Sequence, residues 1–226
     1  MNISKVGKII FSLLLILTPC FTSAKSNIKV MIGGGSSLAP TSNFSSVETS
    51  TNLANVTRTN ERIYWESAAH AFIEIGTINL NFLNFKIGYR TESEKKLGFY
   101  SIQNPTTGTI QTVYPGANSA KVKIDDIYID STYRWDRPGY MILGINYSNP
   151  TYRSVPTSTT ETISTSGKMG LNIGGGYLFA DEIFAFEIIS RYRLWSLKIF
   201  DQATGSTKDY GNGFQSEVNL NLKYIF

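Results

Sequence analysis

The stretch FQSEVNLNLKYIF, residues 214–226, alternates apolar and polar side chains with a period of two. One parity carries Phe214, Ser216, Val218, Leu220, Leu222, Tyr224 and Phe226, and the other is polar apart from Ile225. Such alternation predicts a β-strand with one apolar and one polar face. A soluble sandwich strand would alternate too, but the length of this one and its terminal Tyr224 and Phe226 favour a tilted transmembrane strand ending at an aromatic girdle.

Seven segments upstream repeat this pattern. We expect strands near residues 28–36, 69–75, 85–90, 126–133, 141–147, 168–179 and 184–194. Short links near 78–82, 134–139 and 180–182 alternate with long links over 38–60, 93–121, 148–166 and 200–213. Short periplasmic turns alternating with long outer loops are typical of outer-membrane barrels.

These spacings predict an all-β fold, an eight-stranded antiparallel up-and-down transmembrane β-barrel with both chain ends in the periplasm. One alternative stays open. Residues 98–114 read as a hairpin around "NPTTG", and a barrel of ten strands would result if both arms crossed the membrane. The arms are too short to cross, so we favour eight strands, with these arms extending above the lipid.

The first residues have the three parts of a secretory signal peptide. Lys5 and Lys8 precede a short apolar run over residues 9–17, and "TSA" (22–24) offers a small-residue cleavage site. We expect residues 1–24 to be removed and residues 25–226 to form one barrel domain in the bacterial outer membrane. Lipidation at Cys20, the only cysteine, is the alternative, although Pro19 stands where a small residue is usual in that motif.

The charge balance does not favour nucleic acid as a partner. Without Lys5 and Lys8 the formal charge of +4 falls to about +2, since residues 1–24 contain no acidic residue. No other stretch approaches the roughly 20 apolar residues that a spanning helix requires. A membrane crossing must therefore use strands, which need a closed barrel so that every backbone group is paired.

The signal peptide, the alternating link lengths and the closing "SEVNLNLKYIF" resemble the small eight-stranded outer-membrane proteins of the OmpA-domain, OmpX and opacity-protein kind. The resemblance implies an insertion signal, made of a terminal aromatic residue and alternate apolar positions, that the barrel-assembly machinery recognises. Here these positions are Val218, Leu220, Leu222, Tyr224 and Phe226. The resemblance also implies outer-membrane lipid and lipopolysaccharide as surroundings. It implies no single function, because the group includes structural proteins, adhesins and a few enzymes.

An eight-stranded barrel is just wide enough for side chains to fill it. Assigning the polar parity inward gives a nearly balanced set of charges, which predicts a plugged interior of ion pairs and not a lining of one sign. The predicted interior network comprises Glu66, Glu74, Lys86, Arg90, Asp126, Asp130, Lys168, Glu187, Arg191, Arg193, Glu217 and Lys223, and the same parity also turns Lys29 inward. A narrow pore or small-solute channel is the alternative.

A lipid A-modifying enzyme is a third, weaker hypothesis. Such barrels commonly use a histidine beside a serine and an acid near the outer rim. The single histidine, His70, falls near mid-barrel without a serine two residues away, which favours a structural imidazole paired with a carboxylate. We therefore expect no catalytic residue, no cofactor and no metal site.

The long links contain many Ser, Thr, Asn and Gly residues, so we expect mobile, hydrated loops. If the interior is inert, these loops carry any recognition. The sequence favours a structural or adhesin-like surface role, with a host surface or matrix molecule as the candidate ligand. Tyr114, Tyr152 and Arg153 are candidate loop contacts, because Tyr and Arg are enriched at binding hot spots.

Overall fold

The computed structural model describes residues 28–50, 53–77, 83–103, 107–114, 120–134, 138–153, 161–180 and 182–226. The expected signal peptide and Cys20 lie outside the described residues. In the described ranges the strands are β1 (Ile28–Ser50), β2 (Leu53–Trp65), β3 (Ala68–Thr77), β4 (Leu83–Glu92), β5 (Lys95–Gln103), β6 (Ile110–Val113), β7 (Lys121–Tyr133), β8 (Gly139–Arg153), β9 (Glu161–Gly167), β10 (Met169–Phe179), β11 (Phe184–Asp201) and β12 (Ser206–Ile225). No helix in these ranges is long and apolar enough to cross a membrane.

Eight of these strands form a closed antiparallel ring in the order β1-β3-β4-β7-β8-β10-β11-β12, and β12 pairs back onto β1. The pairing runs from Met31 opposite Ile225 to Leu38 opposite Val218 without a shift. The last backbone amide, that of Phe226, donates to the carbonyl of Val30 at 2.8 Å. The predicted eight-stranded up-and-down barrel is thus confirmed, and the alternative of ten strands is wrong.

At three places one strand leads directly into the next along the chain through a short joint: β2 into β3, β4 into β5, and β9 into β10. Trp65 and Ala68 are both buried, as are Glu92 and Lys95, while the two residues between each pair are exposed. Because a regular strand turns alternate side chains inward, two inward residues three positions apart mean that the parity reverses at the joint. A parity assigned on one side of a joint is therefore wrong on the other side.

Beyond the ring, on the side away from the chain ends, the sheet rises further. We call this part the crown, and it comprises the described residues within 41–65, 95–114, 121–124, 149–153, 161–167 and 195–213. The crown consists mainly of paired strands, such as β1 with β2 and β2 with β5. The expectation of mobile loops was wrong for these stretches, because ladder hydrogen bonds and inward apolar side chains order them. The hairpin of β5 and β6 lies here, as predicted.

The outward face of the ring is a belt of exposed apolar side chains, typical of a lipid-facing surface. Its members include Ile32, Ile73, Phe85, Ile87, Ile127, Ile129, Met141, Leu143, Ile145, Leu171, Ile173, Phe186, Ile188 and Leu222. Val218, Tyr224 and Phe226 of the predicted insertion signal are exposed on the same face, and Leu220 is half-buried. At the end where the chain termini lie, aromatic rings follow one another from Phe179 to Phe184, Tyr224 and Phe226 at centroid distances of 5.7, 5.2 and 4.6 Å.

Glycines make room for two inward tyrosine side chains of the ring. A Cβ at Gly88 would lie 2.4 Å from the Tyr128 ring, and one at Gly176 would lie 2.3 Å from the Tyr140 ring. Both tyrosines are buried and stand on the strand next to the glycine. The glycines thus allow two phenol rings to lie flat against the inner wall, with their hydroxyls directed at the lumen.

Candidate functional site

The interior is filled in layers. At the end where the chain termini lie, an apolar layer contains Met31, Tyr140, Ile142, Leu178, Ala185, Ile189 and Ile225. Above it lie two clusters of charged side chains, which we call the lower cluster and the upper cluster. A second apolar layer, the crown layer, lies above the upper cluster and contains Phe44, Ile63, Trp65, Val122, Ile124, Trp195, Leu197 and Tyr210.

The lower cluster joins two lysines to three acids, contributed by five strands. Lys86 Nζ lies 3.0 Å from Glu74, 3.0 Å from Glu187 and 3.7 Å from Asp130. Lys223 Nζ lies 3.0 Å from Glu74 and also contacts Glu187. The acids accept further hydrogen bonds, from Tyr128 to Glu74 at 2.8 Å, from Tyr140 to Glu187 at 2.6 Å and from Asn172 to Asp130 at 2.7 Å. Each carboxylate therefore has both a cation and a neutral donor, which offsets the cost of burying it.

The upper cluster joins Arg90, Lys95 and Arg193 to Glu92, Asp126 and Glu217. All six side chains have no exposed surface. Arg193 contacts all three acids, at 3.0 Å for Glu92, 2.6 Å for Asp126 and 2.8 Å for Glu217. Arg90 likewise contacts Glu92, and lies 2.9 Å from Asp126 and from Glu217. Arg191 lies between the two clusters, its guanidinium 4.5 Å from the centre of the Tyr128 ring.

Counted over these described residues, the two clusters and Arg191 hold six cationic and six acidic side chains. A buried network with equal numbers of both signs needs no counter-ion from solvent. A cavity of about 30 Å³ adjoins Lys86 and Lys223 at the end where the termini lie. The arrangement is that of a plug, with no continuous lining of one charge.

Two residues that we expected in the network lie elsewhere. Glu66 is exposed, because the joint between β2 and β3 reverses the parity that it would share with His70 and Glu74. Lys168 lies half-buried at the joint between β9 and β10 and contacts Asn212, outside both clusters. Lys29 is also half-buried, near the start of β1.

Conversely, Glu92 and Lys95 belong to the upper cluster but were missed. The parity of Arg90 continues to Glu92 and could have identified it. Lys95 stands beyond the reversing joint at Ser93 and Glu94, where simple alternation points to the wrong residue. Glu74, Lys86, Arg90, Asp126, Asp130, Glu187, Arg191, Arg193, Glu217 and Lys223 are buried in the interior.

His70 is buried near the middle of the barrel, and its Nε2 lies 2.7 Å from Oδ1 of Asn221. We expected a carboxylate as its partner, and the structure provides an amide from the facing strand β12. No serine hydroxyl is among its hydrogen-bond partners in the described residues. Within the same residues, no three His, Cys, Asp or Glu side chains gather as metal ligands.

The crown layer closes the interior from above. Phe44 packs edge-on against Trp195 at a centroid distance of 4.9 Å and against Tyr210 at 5.5 Å. Tyr152 packs against the layer and meets Trp65 edge-on at 6.4 Å, so it faces inward and is not a free loop contact. Burial in this layer, together with the neighbouring Tyr210 and Glu61, raises the pKa of the Tyr152 hydroxyl above its usual value.

The other two candidate loop contacts are exposed. Arg153 points outward, and its Nη1 lies 3.2 Å from the carboxylate of Glu94. Tyr114 is three-quarters exposed at the end of β6, and its ring centre lies 5.7 Å from that of Phe99. Phe99 in turn stacks on Tyr64 at 4.1 Å, and the Arg62 guanidinium lies 5.1 Å from the Tyr64 ring. A concave surface that encloses a volume of about 730 Å³ adjoins this row of rings on the crown.

No protein-family model matches the sequence, and comparison with curated proteins gives no match. Solved structures similar to this chain are outer-membrane proteins. OprG from Pseudomonas aeruginosa has a TM-score of 0.50 and 14% sequence identity, over 87% of this chain and 95% of OprG. The outer membrane protease OmpT from Escherichia coli has a TM-score of 0.42 and 10% identity, over 87% of this chain and 97% of OmpT. Neisserial surface protein A has a TM-score of 0.41 and 12% identity, over 89% and 98% of the two chains. The fold of this chain is that of a small outer-membrane β-barrel.

Proposed function

We propose that this chain is an integral protein of the bacterial outer membrane that acts through its crown and not through its lumen. It serves a structural or surface-interaction role of the adhesin kind. The observation that carries this proposal is the filled interior: two clusters of charged side chains, which balance in charge together with Arg191, lie between two apolar layers. A channel needs a continuous hydrated path, and side chains from both sides of the lumen meet at hydrogen-bonding distance along this axis.

Its place in the membrane is supported by the outward belt and by the rings that follow one another near the chain ends. Lipid-facing strands with an apolar belt and aromatic girdles are the pattern of outer-membrane barrels. In this arrangement the chain ends lie in the periplasm and the crown rises into the outer leaflet and beyond it. The residues from Val218 to Phe226 would then be presented to the barrel-assembly machinery during insertion.

Conductance in a planar lipid bilayer tests the filled interior. The purified full chain is first shown to be folded by a change in electrophoretic mobility on boiling. We expect no steady channels from the folded protein over a range of salt concentrations. Steady channels of defined size would contradict the proposal and favour the narrow pore. Fractionation tests the location, because a chain that stays in the soluble fraction and migrates identically with and without boiling is not this barrel.

The proposal also treats the protein as non-enzymatic. The buried environment of His70, with an amide oxygen as its partner, supports a structural role for this imidazole. Mass spectrometry of lipid A from cells with and without the protein tests the alternative. We expect identical masses. A change of mass that is reversed by His70→Ala would identify a lipid A-modifying enzyme instead.

A further inference from the structure

The concave surface on the crown forms a groove with a chemical character different from that of the interior. It lies across β1, β2, β5 and β6, and most of its lining residues are on the outward face of these strands. On β2, for example, Glu61 and Ile63 are buried inside, whereas Arg62 and Tyr64 line the groove. Its volume of about 730 Å³ is within the ordinary range for small-molecule sites, roughly 300–1,000 Å³.

One wall of the groove is a preformed ladder of planar groups. Arg62, Tyr64 and Phe99 line the groove and follow one another at 5.1 and 4.1 Å, and the Tyr114 ring extends the row beyond the lining residues, 5.7 Å from Phe99. Because the rings already hold one another in place, a ligand that lies against them orders few additional rotamers. The guanidinium of Arg62 is free for solvent at one end, and the Tyr114 ring offers an open face at the other.

The remaining lining is rich in amides and hydroxyls. Asn43, Asn60, Gln103 and Asn212 contribute four amide side chains, and Ser101 and Thr112 contribute hydroxyls. An amide is both a donor and an acceptor, and so is each hydroxyl group of a sugar ring. Among the described lining residues the one carboxylate is that of Glu61, which lies 2.7 Å from Lys208 Nζ on the interior side.

We propose that this groove binds a short saccharide, with the aromatic ladder against the apolar face of a sugar ring and the amides bonded to its hydroxyls. The inference rests on the proposed surface role of the crown and names its ligand class. An acyl chain offers neither a donor nor an acceptor to these amides, and covering them without new hydrogen bonds is costly. Arg62 favours a saccharide with a carboxylate or phosphate group, since its fork can bind either with two hydrogen bonds.

The groove lies level with the upper edge of the apolar belt. Asn43 is paired with the exposed Phe214 on one side and with Arg62 on the other. Sugars of the lipopolysaccharide in the same leaflet and glycans on another surface both reach this height. The chemistry of recognition is the same for both sources, so binding experiments must separate them.

The test uses the folded full chain in detergent with two kinds of probe. The first is lipid-free core oligosaccharide released from lipopolysaccharide by mild acid, followed by titration calorimetry. The second is an immobilised panel of neutral and sialylated mammalian oligosaccharides. The variants are Phe99→Ala and Tyr114→Ala in the ladder, and Arg62→Gln. Tyr177→Ala is the matched control, because Tyr177 is an exposed aromatic residue on the belt, remote from the groove.

We expect wild type and Tyr177→Ala to bind equally, and each ladder variant to lose about tenfold in affinity. Arg62→Gln should lose the preference for acidic over neutral saccharides while still binding the neutral ones. Binding to the core oligosaccharide alone assigns the groove to the protein's own membrane, and binding to the panel alone assigns it to another surface. Absence of binding to both probes, or ladder variants that bind like wild type while their mobility still changes on boiling, overturns the saccharide site. Neither result affects the conductance or location tests, so the proposed function would fail separately.

Discussion

Arg193 and Asp126 face each other across the lumen and form a two-pronged contact, with Nε 3.0 Å from Oδ1 and Nη2 2.6 Å from Oδ2. Arg193 stands on β11 and Asp126 on β7, and two further strands, β8 and β10, separate them in the sheet. The contact therefore crosses the lumen between two strands that are not neighbours in the sheet. The upper cluster thus links strands of the barrel wall through the lumen.

Asp126→Asn should be strongly destabilising. The change leaves Arg193 and Arg90 facing a neutral amide in a site without exposed surface, and breaking a buried pair from one side costs about 3–5 kcal/mol. The measurement is the free energy of unfolding in urea with the protein in lipid vesicles. Asp125→Asn on the same strand is the control, because its carboxylate faces outward to Thr91 and Lys123, and we expect a loss below about 1 kcal/mol. Equal losses for the two variants would contradict a stabilising role of the upper cluster.

Gly176→Ala should also lower the free energy of unfolding. The new Cβ would lie 2.3 Å from the ring of Tyr140, which is held by its hydrogen bond to Glu187, and overpacking of this kind costs about 1–3 kcal/mol. Gly139→Ala provides the control one residue from Tyr140, since a Cβ there meets nothing within 4 Å. Urea unfolding followed by circular dichroism compares the two, and a tolerated Gly176→Ala would mean that the phenol ring is free to move.

Trp195→Ala should destabilise the crown. Trp195 is fully buried in the crown layer, and removal of a buried Trp side chain typically costs about 3–5 kcal/mol. Tyr114→Ala, which removes an exposed ring from the same part of the protein, should change the free energy of unfolding by no more than about 0.5 kcal/mol. Limited proteolysis provides a second readout: cleavage within the crown should accelerate in Trp195→Ala and stay at the wild-type rate in Tyr114→Ala.

Phe226→Ala should impair assembly of the barrel in cells without lowering the stability of the folded protein. The side chain is exposed on the outward face, with its ring centre 4.6 Å from that of Tyr224, and the backbone hydrogen bond to Val30 is retained in the variant. We expect the purified variant to unfold at nearly the wild-type urea concentration, whereas the folded fraction in cells falls. Phe186→Ala removes an exposed Phe from the middle of the belt and should leave the folded fraction unchanged. The insertion signal would be refuted by a normal folded fraction in cells for Phe226→Ala.

Much of the ring could be predicted because one physical rule governs it. Lipid outside and a filled lumen inside require strict alternation, and the segments around Phe85, Ile145 and Phe186 have that alternation. The inward charges followed from the same parity wherever a strand ran without interruption, as it does from Glu187 to Arg193.

What could not be predicted depends on joints and on long-range packing. The reversals at residues 66–67 and 93–94 cannot be recognised from residue types, so Glu66 was assigned to the wrong face and Lys95 was missed. The crown layer was missed for another reason. Phe44, Ile63 and Trp65 are separated by polar residues that suggest a hydrated loop, and only pairing with distant strands brings them to Trp195.

The inner face of β12 has a consequence for how the barrel is completed. Glu217 contacts Arg90, Lys95 and Arg193, Asn221 contacts His70, and Lys223 contacts Glu74. The last of the described strands along the chain thus carries the partners of side chains on strands that precede it. A slip of one residue would turn Val218 and Leu222 into the lumen and Glu217 and Lys223 into lipid, leaving the earlier charges without partners. The ion pairs of the closing strand therefore favour the observed alignment over one shifted by a single residue.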